Sequence, residues 1–231
     1  MIRLDQLLSR YGYCSRREAA SWVNAGAVTG INGLPFRRPD EKVDPATVLV
    51  EGHPVPFPGG ITVAFHKPAG YACSHNPAET PLIYDLLPPE WMQRHPAPET
   101  VGRLDRETSG LILLSDDGDF LHRWTAPRHE VPKVYEATVD TDFPLGLVEL
   151  FASGTLMLRS EDRPCRPAIL KITGSRTATL QITEGQYHQV RRMFASQGCT
   201  VKALHRTRAG SVDLGKLPSG EWRKLTAQER D

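Results

Sequence analysis

Several things are scarce in this chain, and each shortage closes off a class of protein. Its 231 residues contain four cysteines, Cys14, Cys73, Cys165 and Cys199. None lies within three residues of another, so the paired spacing of a zinc site is missing and no metal is called for. The four read as reduced thiols rather than a disulfide framework. No run of eighteen apolar residues occurs, which removes a membrane-spanning helix. The start, Met1-Ile2-Arg3-Leu4-Asp5, has neither an apolar signal core nor a small-residue cleavage site, so a cytoplasmic location is the default expectation. Net charge is only +1, which by itself says nothing about nucleic acid. There is no internal repeat and no low-complexity tract.

What is present is ordinary for a soluble globular chain: 39% hydrophobic and 24% charged residues. The length suits a small domain followed by a medium one. Gly52 to Gly60 holds three prolines and three glycines in nine residues, a poor helix or central strand. The expected division is therefore a domain at 1–51, a linker at 52–60 and a second domain at 61–231.

In the first segment Leu4, Leu7, Leu8 and Tyr11 have helical spacing, and Gly12 ends that helix. Ser15-Arg16-Arg17-Glu18 fits a capping box, in which the Ser15 hydroxyl accepts from the Glu18 amide and the Glu18 carboxylate reaches back. The second helix would turn Ala19, Ala20, Trp22 and Val23 inward and stop near Gly26. Two short strand-like runs follow, broken at the turn signal Asn32-Gly33. After the linker, strand-like and helix-like pieces alternate. Ile61 to Phe65, the apolar run Leu111 to Leu114, Val134 to Val139, Ala168 to Ile172 and Thr177 to Ile182 read as strands. Gln189 to Gln197 reads as a helix closed by Gly198. The mix predicts an α+β domain on a largely antiparallel mixed sheet.

Charge is distributed unevenly. From Gly185 to Gly210 there are five cations (Arg191, Arg192, Lys202, Arg206, Arg208) and no acid, enough locally to hold a phosphate backbone. Taken alone, such a run is more often a solvated helix face. Three strings carry more. Gly102-Arg103-Leu104-Asp105-Arg106-Glu107-Thr108-Ser109-Gly110 sets a carboxylate in a glycine-bordered loop just before a buried strand, a rigid way to present an acid. Alone, such an Asp is more often a turn cap or a partner for Arg103. The others are Lys133-Val134-Tyr135 and Glu184-Gly185-Gln186-Tyr187-His188-Gln189-Val190-Arg191-Arg192-Met193-Phe194. Asp116-Asp117-Gly118-Asp119 lacks the later ligands of a calcium loop and reads as a strand end and helix start. A two-carboxylate glycosidase would need a second acid, and nothing singles out Glu107. Cys73 has only His75 as a basic neighbour in sequence, a poor setting for a catalytic thiol.

Taken in order, these strings and Lys67-Pro68-Ala69-Gly70-Tyr71 resemble the motifs of the RsuA/RluA superfamily of RNA pseudouridine synthases. Arg3-Leu4-Asp5, Ser15 to Ala19 and Asn32-Gly33 resemble the αL-type RNA-binding domain of ribosomal protein S-four. Ala27, where that domain usually has a basic residue, and Gly30, which looks like one extra residue, depart from its pattern. The resemblance covers essentially the whole chain. It implies an isomerase without cofactor or metal. Asp105 would be its catalytic carboxylate, Tyr135 the aromatic against the target base, and Arg191 the cation paired with Asp105. Arg103 would help fill the place of a flipped nucleotide. Arg16, Arg17, Lys67, Arg128, Lys133, His188 and Arg192 are the expected RNA contacts. A guanidinium beside a carboxylate favours its ionised form and can orient it through paired hydrogen bonds. Flipping a stacked base costs a few kcal/mol, and an aromatic face offsets part of it.

Gly70 to Ser74, Pro127-Arg128-His129 and Tyr187-His188-Gln189 resemble the branch of the family that acts on the small ribosomal subunit. The expected partner is then 16S ribosomal RNA in an assembling particle, met by a monomer with no membrane attachment. Two alternatives stand beside it: an enzyme acting on large-subunit (23S) ribosomal RNA, and an rRNA-binding assembly factor without chemistry.

Overall fold

A computed structural model describes residues 1–230. Asp231, the last residue of the expected second domain, lies outside the described residues. The chain forms two compact units. One is Met1–Thr62 with Leu87–Glu99 and Ser115–Asp117; the other is Val63–Leu86, Thr100–Leu114 and the chain from Gly118 on.

In the first unit, β1 (Ile2–Arg3) leads into α1 (Leu4–Arg10), followed by α2 (Ala19–Asn24), β2 (Val28–Gly30), β3 (Lys42–Val43), β4 (Val48–Val50) and β5 (His53–Pro54). β1 pairs with β3, and β4 lies between β2 and β5. Leu4, Leu7, Leu8 and Tyr11 are all buried, as their helical spacing predicts. Gly12 ends α1 at φ +78°, and a Cβ there would stand 2.5 Å from the Gln93 carbonyl oxygen, so only glycine fits. The capping box forms: Glu18 Oε2 accepts from Ser15 N–H at 2.9 Å, and Ser15 Oγ accepts from Glu18 N–H at 3.4 Å. α2 buries Ala19 and Val23, one turn apart, and partly buries Trp22. Ala20 is exposed, contrary to expectation, because six residues offer one narrow face and position 20 lies about 100° off Ala19. Asn32-Gly33 makes the tight turn, with Gly33 at φ +77°. The arm after it contributes only an isolated bridge from Pro35 to Thr29; a proline has no N–H to continue a ladder.

The stretch expected as a linker is packed rather than free. β5 pairs with β4, Val55 is buried, and the Tyr11 hydroxyl donates to the Pro58 carbonyl at 2.7 Å. The segment with α3 (Pro89–Met92) belongs to the same unit. There the buried Arg94 donates to Asp116 Oδ2 at 3.0 Å, and its guanidinium stands 4.2 Å from the Tyr11 ring centre. Asp116 Oδ1 accepts from the Ile61 N–H at 2.8 Å. A buried pair of this kind adds little net stability when complete, but breaking one side costs several kcal/mol.

The second unit is built on one sheet. Its strands are β6 (Thr62–Lys67), β7 (Glu99–Thr100), β8 (Thr108–Ser115), β9 (Lys133–Val139), β10 (Ile169–Gly174), β11 (Thr177–Ile182), β12 (Val201–Ala209), β13 (Val212–Asp213) and β14 (Trp222–Lys224). The main order is β10-β11-β9-β12-β8-β6-β14. β12 runs parallel to β8, while β10–β11, β11–β9, β12–β9 and β14–β6 are antiparallel, the mixed, largely antiparallel sheet expected. The helices are α4 (Gly118–Thr125), α5 (Leu147–Ser153), α6 (Gln189–Ala195) and α7 (Ala227–Arg230). One core cluster gathers Ala64, Leu111, Leu113, Phe120, Val212 and Leu225. β8 and β12 approach closely because residue 110 is glycine: at φ +109° a Cβ would fall 2.2 Å from the Arg206 carbonyl oxygen.

Candidate active site

The second unit contains a cavity of about 870 Å³. Thr108 on β8, Tyr135 on β9, and Leu204 and Arg206 on β12 line it. Leu204 and Arg206, two apart on a strand, share one face. His205 between them does not line the cavity; its Nδ1 is 2.8 Å from Ser109 Oγ.

Asp105 sits in the loop ahead of β8 and lines the cavity with its side chain 30% exposed. The loop is held by its carbonyl groups. Asp105 O accepts from Thr108 N–H at 3.0 Å and Arg106 O from Gly70 N–H at 2.8 Å. Beneath them lies Lys67, wholly buried. Its ammonium donates to the carbonyls of Pro68 (2.9 Å), Arg106 (3.1 Å) and Thr108 (2.8 Å). Burial pushes the Lys67 amine below its ordinary range. This corrects one expectation. Lys67 is not an RNA contact, because its three donors are spent on the backbone of the loop that carries Asp105.

Two side chains, an imidazole and a guanidinium, meet the carboxylate. His188 Nε2 lies 3.4 Å from Asp105 Oδ1, and Arg191 Nε lies 3.8 Å from Oδ2. Arg191 does not form the paired hydrogen bonds expected, because Nη1 donates to the Val201 carbonyl (3.2 Å) and Nη2 to the Glu107 carbonyl (3.1 Å). The result is a fixed positive charge beside the acid rather than a bidentate clamp. Arg191 lies in the first turn of α6, and His188 is that helix's N-cap, with the left-handed backbone φ +49°.

Tyr135 is buried and faces the same cavity. Its hydroxyl is 3.5 Å from Arg206 Nη1, while Arg206 Nε donates to the Leu111 carbonyl at 2.7 Å. Arg206 was legible in the sequence only as one cation of the basic run. The signal that could have singled it out is alternation: on a strand, Arg206 shares a face with the buried Leu204. Lys133, two residues before Tyr135, lines the cavity half-buried. Burial, reinforced by the Arg206 charge, pushes its amine down to about 8.

The structure thus brings Asp105, Tyr135, Arg103, Lys133 and His188 to one cavity, with Arg191 against Asp105. Other expected RNA contacts lie elsewhere. Arg192 is committed to Glu161 at 2.6 Å and to the Tyr187 carbonyl at 3.0 Å, with a further bond to the Arg159 carbonyl. Arg128 is exposed in the turn Pro127–His129, its Nε 3.2 Å from His129 Nε2. In the first unit, Arg17 is exposed. Arg16 is held by Asp5, which also accepts from Arg3 Nε and Nη2; these bonds, Arg3 foremost, draw the Asp5 carboxyl down to about 2.

Residues 61–196 match the RNA pseudouridylate synthase family, and residues 2–49 match the S4 domain. The chain belongs to the RNA pseudouridylate synthase family: it is a pseudouridine synthase with an S4 domain at its N-terminus. It is similar to the ribosomal small subunit pseudouridine synthase A of Pasteurella multocida, 37% identical over 99% of this chain and 97% of that one. The protein of the same name from Escherichia coli K12 is 36% identical over 99% and 98%. YtzG of Bacillus subtilis, described as an uncharacterized RNA pseudouridine synthase, is 37% identical over 99% and 96%. A crystal structure of a pseudouridylate synthase superposes with a TM-score of 0.68 at 32% identity, covering 100% of this chain and 98% of that one.

Proposed function

We propose that this enzyme converts one uridine of small-subunit ribosomal RNA to pseudouridine, with Asp105 as its catalytic carboxylate. The observation that carries this reading is the convergence of Asp105, Tyr135 and Arg191. A carboxylate stands at an open cavity, between a fixed guanidinium and an imidazole, in a site floored by an aromatic ring. The reaction conserves all atoms. The bond from the sugar C1′ to N1 breaks, a bond from C1′ to C5 forms, the proton on C5 leaves, and N1 gains one. A carboxylate close to the sugar or base serves such a step, and the Arg191 guanidinium stands beside it, Nε 3.8 Å from Oδ2. The target must leave the RNA stack to reach the cavity, and the Tyr135 ring offers it a face in exchange. Arg103, exposed at the same cavity, would fill the gap the base leaves.

In this reading residues 61–231 carry the chemistry and residues 1–51 grip flanking RNA through Arg16 and Arg17. The small subunit is favoured by the names of the relatives in Pasteurella multocida and Escherichia coli. The test is to incubate the protein with 16S and 23S ribosomal RNA and map modified positions by carbodiimide-blocked primer extension. A single new stop on 16S RNA supports the proposal. A stop on 23S RNA alone reassigns the substrate, and no stop on either leaves an RNA-binding factor without chemistry.

A further inference from the structure

Tyr187 departs from the other aromatics at this site. The residue is 75% exposed although it lines the cavity that holds Asp105. A large exposed ring does nothing for the stability of the fold, yet this one is held in place. Its carbonyl accepts from Arg192 Nη1 at 3.0 Å, and Arg192 is itself tied to Glu161 at 2.6 Å. On the other side the Gln186 N–H donates to Gln189 Oε1 at 2.9 Å, and Gln189 Nε2 donates to Glu184 Oε1 at 2.6 Å. These bonds fix the backbone through His188, whose φ of +49° is unfavourable for a residue with a side chain.

The Tyr187 ring stacks on the His188 ring, with centroids 3.8 Å apart and planes 18° from parallel. His188 in turn touches Asp105. The stack therefore begins at the reacting carboxylate and ends in an aromatic face open to solvent. Exposed cations, Arg103 and Arg163, line the same cavity and can meet backbone phosphates. Aromatic faces combined with nearby cations are how proteins hold unpaired nucleotides, and the stacking works for any base. A ring fixed in advance avoids most of the ordering cost of binding.

We propose that Tyr187 is a stacking platform for the base of a nucleotide next to the target uridine. It would hold the strand open at the mouth of the cavity while Tyr135 meets the target inside. This rests on the reading that the cavity takes a uridine of an RNA strand. The test uses the full chain with Asp105→Asn, which leaves the RNA unreacted, and a short RNA centred on the mapped uridine. In this RNA 2-aminopurine replaces, one at a time, the nucleotides on either side of the target. Quenching at one neighbouring position is expected. Adding Tyr187→Ala should abolish the quenching and weaken binding roughly 5- to 150-fold, whereas Tyr187→Phe keeps both. An abasic nucleotide at the quenched position should weaken binding to the parent protein by the same factor and add nothing in the Tyr187→Ala background. Unchanged affinity of Tyr187→Ala, with no position quenched, overturns the platform even where Asp105→Asn is inactive. Pseudouridine formation by Asp105→Asn overturns instead the functional reading beneath it.

Discussion

Replacing Lys67 with Met removes a wholly buried ammonium while keeping much of its volume. Three carbonyl oxygens, those of Pro68, Arg106 and Thr108, then lose a donor that stood 2.8 to 3.1 Å away. An unsatisfied buried acceptor costs about 1–3 kcal/mol. Against this, the variant no longer buries a charge that has no carboxylate among its hydrogen-bond partners, which returns part of the loss. The expected net destabilisation is about 2–4 kcal/mol, read as a fall in the urea midpoint with an unchanged slope. The catalytic effect should be larger than the effect on binding. The loop positions Asp105, and a displacement of about 1 Å at a reacting group can cost on the order of 100-fold in rate. Single-turnover pseudouridine formation at saturating RNA should therefore slow by about that factor, with RNA affinity within about twofold of wild type. A variant that binds RNA weakly but reacts normally once saturated would refute the argument, because it would return Lys67 to the RNA surface.

Gly110→Ala should destabilise the fold by about 3 kcal/mol or more, since it adds both a strained φ and a contact 2.2 Å from the Arg206 carbonyl oxygen; a urea midpoint near that of wild type would mean the two strands can part without cost. Lys133, with its amine at about 8 in the folded protein against 10.5 ordinarily, is a depressed base. The folded state sheds its proton first, so stability relative to Lys133→Met should rise as pH climbs from about 8 to 10.5. RNA affinity should fall over the first part of that window, and Lys133→Arg should remove the fall; a pH-independent difference in the urea midpoint, or affinity loss that persists in Lys133→Arg, would contradict this.

The residues that meet at the cavity could be picked out because each stands in a short, unusual string. Asp105 could be placed at the entry to a buried strand from the glycines around it and the apolar run after it. The helical spacing of Leu4, Leu7, Leu8 and Tyr11, and the capping pair Ser15 and Glu18, needed only local rules. What could not be read depends on the fold as a whole. A lysine suggests surface, and only the convergence of three carbonyls from two segments turns Lys67 into an internal support. Arg206 hid within a basic run because its burial depends on which face of β12 meets the cavity. The Pro- and Gly-rich stretch 52–60 has the composition of a tether, yet Tyr11 and β4 capture it. Arg94 and Asp116, 22 residues apart, form a buried pair that no motif announces.

The central claim is that Asp105 performs the chemistry, and its most direct test is Asp105→Asn assayed on small-subunit ribosomal RNA. The side chain is partly exposed and makes no hydrogen bond that the fold requires, so the variant should keep the wild-type urea midpoint and bind RNA with similar affinity. It should leave no carbodiimide-dependent stop in primer extension, even at enzyme excess and long incubation. A stop at the wild-type position, at any appreciable fraction of the wild-type rate, would contradict the account and return Asp105 to the role of a turn residue.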